Sequence, residues 1–96
     1  ENGGFKMFEV KEGYFFGLVN RIFEIEKENI FNQTKNKNNV HRVKISMGEV
    51  YDIVRHPNYR PNSYIDLNGI HASLERSKLT RGTNTQHYIK FEWRHF

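Results

Sequence analysis

The chain has no cysteine, which excludes disulfides, thiolate metal sites and a cysteine nucleophile and leaves packing as the source of stability. Proline is scarce, with Pro57 and Pro61 alone, and Trp93 is the single tryptophan. No apolar run approaches the roughly 18 residues of a membrane-spanning helix, and the first residues form no hydrophobic segment of the signal-peptide kind. The expectation is a soluble intracellular protein, cytoplasmic or nuclear, with no membrane partner. Also missing are a glycine-rich phosphate loop, zinc-ligand spacing and any nucleic-acid recognition motif. Four of the five histidines, His41, His56, His87 and His95, fall in different segments with no i, i+4 pair, so spacing argues for no metal site. Neither a cofactor nor a catalytic residue is expected.

What is present starts with size and aromatics. Ninety-six residues suit one domain and one core over 1–96, with residues 1–4 set aside from the fold argument. Phe, Trp and Tyr make up 15% of the chain, and such side chains supply large buried area per residue. The strongest local signal is Ser63 to Glu75, where Asn68-Gly69 separates two alternating apolar runs. A two-residue turn there needs φ > 0 at both positions and sets Leu67 opposite Ile70 and Ile65 opposite Ala72. The aliphatic residues then share one face, while Tyr64, Asp66, His71, Ser73 and Glu75 share the other.

The rest of the chain is read around that hairpin. Phe5–Val10 and Tyr14–Val19, joined through Gly13, suggest a first hairpin. Residues through Phe31 fit an amphipathic helix less well than a strand. Setting Ile30 opposite Val40 brings Glu28 to Arg42, Glu26 to Lys44, Ile25 to Ile45 and Phe23 to Met47, two charge pairs and two apolar pairs from one register. Asn32 to Asn39 reads as a polar mobile loop. Val40 to Ser46 is a strand with Val43 and Ile45 on one side and Arg42 and Lys44 on the other. Ser46-Met47-Gly48-Glu49 has capping-box spacing, opening a short helix expected to bury Met47, Val50, Tyr51 and Val54 and to end before Pro57. His87 to Phe96 closes the chain as a strand with Ile89, Phe91 and Trp93 inward.

The fold expected is mainly β: a small, strongly curved antiparallel sheet or barrel of five to six strands with one short helix near 47–55. The alternative is an α+β domain with an additional helix near 15–28. This order of elements is similar to that of oligonucleotide-binding barrels, an analogy of fold that does not fix a function.

Charge gives the functional direction. Residues 1–31 carry a net charge of −2 and residues 32–96 a net +6, an asymmetry suited to a polyanion partner. Binding single-stranded DNA or RNA needs cations for phosphates and flat side chains for bases. Arg42, Lys44, Lys90 and Arg94 on strands, Arg55, Arg60, Arg76, Lys78 and Arg81 in connections, and Tyr59, Tyr64 and Tyr88 among them are the candidates. The expectation is a non-catalytic nucleic-acid-binding domain, set against an ordinary solvated sheet face. One alternative is a protein-interaction module, as a homodimer or an inhibitor with a protein partner; another is a small basic toxin-like ribonuclease. His71 opposite Asp66, with Ser73 on the same face, is the one histidine with a named neighbour, and it lacks an arranged triad.

Overall fold

The computed structural model describes residues 6–76 and 86–94. Along the chain lie β1 (Phe8–Glu9), α1 (Tyr14–Lys35), β2 (Val40–Ile45), α2 (Met47–Val54), β3 (Ser63–Leu67), β4 (Ile70–Arg76) and β5 (His87–Glu92). The five strands form one sheet in the order β1-β3-β4-β5-β2. All neighbours are antiparallel except β1 and β3, which run parallel. The protein is a small mixed α/β domain whose sheet is neither closed nor strongly curled, so the mainly-β expectation holds only for the sheet. Among the described residues no helix is long and apolar enough to cross a membrane.

The hairpin forms in the register set by its turn, with Leu67 against Ile70, Ile65 against Ala72 and Asp66 against His71. Asn68 and Gly69 take φ of 53° and 96°, and the Gly69 N–H donates to Asp66 Oδ1 at 3.1 Å. β4 and β2 both pair with β5, so the closing strand lies inside the sheet, between them. Ile65, Ala72, Ile89 and Phe91 are fully buried on the face that the helices cover. Trp93 extends that row past the end of β5.

Residues 14–35 correct the strand expectation. They form a 22-residue helix that buries Phe15, Leu18, Val19 and Ile30, the i, i+3, i+4 spacing of one helical stripe. The first hairpin is therefore absent: Phe8–Glu9 pairs with β3 instead, and Tyr14 begins the helix. Gly13 is what the turn into α1 requires. At φ 98° and ψ −175° it occupies a region almost restricted to glycine, and a Cβ there would lie 2.8 Å from His56 Cε1.

The expected loop at 32–39 is mostly the end of α1 and its cap. Lys37 N–H donates to the Thr34 carbonyl at 3.0 Å and Asn38 N–H to the Gln33 carbonyl at 3.0 Å. With Lys37 at φ 64°, this is the Schellman arrangement, here with lysine where glycine is usual.

The capping box of α2 is present as read. Glu49 N–H donates to Ser46 Oγ at 3.1 Å and Ser46 N–H to Glu49 Oε1 at 2.8 Å. Its buried face is rotated from the expected one: Val50 and Ile53 are buried and Val54 partly so, whereas Met47 and Tyr51 are exposed.

Candidate nucleic-acid interface

Among the described residues the helices cover one face of the sheet and leave the other open. On the open face the outward row of β4 and β5 holds His71, Ser73, Glu75, Tyr88, Lys90 and Glu92, and the registers add Tyr64 and Asp66 from β3, Arg42 and Lys44 from β2 and Glu9 from β1. Five of the expected binding residues, Arg42, Lys44, Tyr64, Tyr88 and Lys90, thus share a surface. Their carboxylates come with them.

Arg42 reaches across β5 to Glu75, with Nε 2.5 Å from Oε1 and Nη2 3.3 Å from Oε2. That bidentate contact holds the Glu75 carboxyl below its ordinary range and raises the Arg42 guanidinium. Lys90 Nζ lies 3.4 Å from Glu92 Oε1. Tyr64 stacks on His71 with centroids 4.6 Å apart and planes tilted by 34°. His71 Nε2 is 3.5 Å from Asp66 Oδ1 with both side chains well exposed. Among the described residues no hydrogen bond links Ser73 to this pair, and no group of three His, Cys, Asp or Glu side chains could hold a metal ion. Of the cations on this face, Lys44 is in no ion pair among the described residues.

A second set collects at one end of the sheet, under the connection from α2 to β3. Val54, Tyr59, Pro61, Leu74 and Arg76 line a hollow of about 540 Å³. The loop above it is tied down at several points. Arg60 N–H donates to Ser63 Oγ at 2.7 Å, and Ser63 N–H to the Arg60 carbonyl at 2.9 Å. His56 Nδ1 lies 2.5 Å from Asn58 Oδ1, and Asn58 Nδ2 donates to the Glu12 carbonyl at 3.1 Å. Tyr59 packs edge-on against Phe15 at 5.6 Å. Burial raises the Tyr59 hydroxyl above its ordinary value, opposed by the positive charge of Arg76.

Arg55 and Arg60 flank this hollow in sequence. Arg55 lies over the Tyr51 ring at 5.3 Å and Arg60 over the Phe8 ring at 5.7 Å. Among the described residues none of Arg55, Arg60 and Arg76 is in an ion pair, and no carboxylate lines the hollow. Arg94 stands at the opposite end of the sheet, beside Gly69 and Asn39. Lys78 and Arg81 lie outside the described residues.

Sequence reasoning did not find an apolar groove between α1 and the β3–β4 hairpin. Its volume is about 540 Å³, and Phe23, Ile30, Phe31, Leu67, Ile70 and Trp93 supply its apolar wall. Phe31 is 65% exposed there. The helical stripe of α1 was the signal that could have pointed to it. Comparison of the chain with protein-family models, curated proteins and solved structures finds no match, so any function must be argued from these surfaces.

Proposed function

We propose that the protein binds single-stranded nucleic acid without catalysing a reaction, at the hollow formed by Val54, Tyr59, Pro61, Leu74 and Arg76. The observation that carries this reading is the difference in how cations are paired. On the open sheet face Arg42 and Lys90 are already opposed by Glu75 and Glu92, and phosphates would have to displace those carboxylates. Arg76 in the wall of the hollow, and Arg55 and Arg60 next in sequence to its lining residues Val54, Tyr59 and Pro61, have no such competitor among the described residues. An apolar floor with a tyrosine and an arginine at its wall suits one base and its phosphate. Single strands are favoured over duplex because α1, the longer described helix, carries three carboxylates against three cations and has no basic face for a major groove.

Labelled oligothymidylate and oligouridylate, titrated by fluorescence anisotropy over a series of salt concentrations, test the reading and separate DNA from RNA. Replacing Arg55, Arg60 and Arg76 together by glutamine should weaken binding to both. It should also reduce the salt slope by about 2, since each single-strand phosphate contact contributes about 0.7. Equal affinity and slope in the triple variant would refute the site.

The groove with exposed Phe31 favours a second reading, a protein-interaction module. A contact anchored there would be nearly independent of salt.

A further inference from the structure

Among the described residues β2 is an edge strand, and its hydrogen bonding shows which groups face outward. Trp93 N–H donates to the Asn39 carbonyl at 3.2 Å, and the register continues as His41 with Phe91, Val43 with Ile89 and Ile45 with His87. Antiparallel pairs alternate between bonded and non-bonded. His41, Val43 and Ile45 therefore exchange their bonds with β5, and the N–H and C=O of Val40, Arg42 and Lys44 point away from the sheet. Among the described residues no turn, loop or cap bond uses these outward groups. Arg42 and Lys44 also place their side chains along the same margin of the open face.

A second copy of the chain is a poor mate for this edge. Facing residues in an antiparallel pair must share a side of the sheet, so the two registers that overlap most of β2 set Arg42 against Arg42 or Arg42 against Lys44. Like charges directly opposite destabilise a pair. Lys44, in no ion pair among the described residues, attracts a strand of opposite pattern.

The geometry points to the outer edge of β2 as an acceptor for an extended acidic peptide that adds as a further strand. A glutamate or aspartate would face Lys44, a second at the alternate position would share Arg42 with Glu75, and apolar residues between them would lie beside Val43, which is only partly buried. Main-chain bonds supply the affinity and the alternating side chains the choice of partner. The edge is distinct from the hollow beside β4, and it uses backbone groups that phosphates do not read in register.

The probe is a labelled eight-residue peptide alternating glutamate and valine, with a lysine–valine peptide and a singly edge-N-methylated glutamate–valine peptide as comparisons. Anisotropy should detect binding of the first. Amide exchange should slow at Val40, Arg42 and Lys44, with little change at His41, Val43 and Ile45, which are protected already. The single N-methylation, which removes one donor facing β2, should weaken binding by about tenfold. Lys44→Glu should weaken the glutamate peptide by a similar factor of about ten and strengthen the lysine peptide. Equal binding of the N-methylated peptide, or unchanged exchange at the three outward amides, overturns the inference. So does protection of those amides by oligothymidylate alone, or by raised protein concentration without peptide.

Discussion

Glu26 interrupts the apolar stripe of α1, and its carboxylate accepts from Asn29 Nδ2 at 3.0 Å and from His41 Nε2 at 2.8 Å. The contact with His41 ties α1 to β2, and both side chains are largely shielded. The hydrogen bonds from Asn29, then His41, hold the Glu26 carboxyl below its ordinary 4.5. A carboxyl that binds its proton less tightly when folded stabilises the fold fully above its unfolded value, and that contribution is lost as pH falls through the lower folded value. Glu26→Gln should therefore lower stability near neutral pH by about 1 kcal/mol. It should also flatten the acid limb, so that parent and variant converge in urea midpoints measured at successively lower pH below 4.5. A constant offset between them down to strong acid would show that the carboxylate charge is not what stabilises the contact.

Between elements, the parts that could be read from the sequence are those whose partners are close by in the chain. The β3–β4 register follows from Asn68-Gly69, and the α2 start follows from Ser46 and Glu49. Residues 14–35 could not be settled the same way. Their pattern allows both periods, and the charge pairs that favoured a strand, Glu28 with Arg42 and Glu26 with Lys44, presumed β2 as the mate. In the structure β2 is paired with β5, 40 or more residues further on. Local pairing arguments do not rank so distant a competitor, and the helix wins because its stripe covers the sheet that β5 completes.

The buried face of α2 differs from the expected one for a smaller reason. Counting from Met47 in steps of three and four selects Val50, Tyr51 and Val54, whereas the helix enters the core on Val50 and Ile53. Ile53→Ala should cost about 2–5 kcal/mol, and Met47→Ala or Tyr51→Ala should change stability by no more than about 0.5 kcal/mol. Chemical denaturation of the three variants checks this. A cost for Met47→Ala equal to that for Ile53→Ala would restore the expected face.

Over the whole molecule, the cations of the candidate site could be listed from sequence, but their pairing could not. Glu75 neutralises Arg42 from two strands away, across β5, and only the assembled sheet shows that Arg55, Arg60 and Arg76 are left without carboxylate partners among the described residues. Assembly also decides how the fold comes apart. Phe15, Leu18, Val19 and Ile30 of α1 belong to one buried cluster with Ile65, Ala72, Ile89 and Phe91 of the sheet and with Trp93. The two layers bury their side chains in this one shared cluster, so α1 and the sheet should unfold together. Two independent signals follow the two layers: helical ellipticity at 222 nm arises mainly from α1, and fluorescence arises from Trp93, which is 5% exposed at the end of β5. Their urea transitions should coincide, with a shift of Trp93 emission to longer wavelength as water reaches the indole. Loss of ellipticity at lower urea than the fluorescence change would mean that the sheet holds its core without α1, and the shared cluster would then not be the unit that folds.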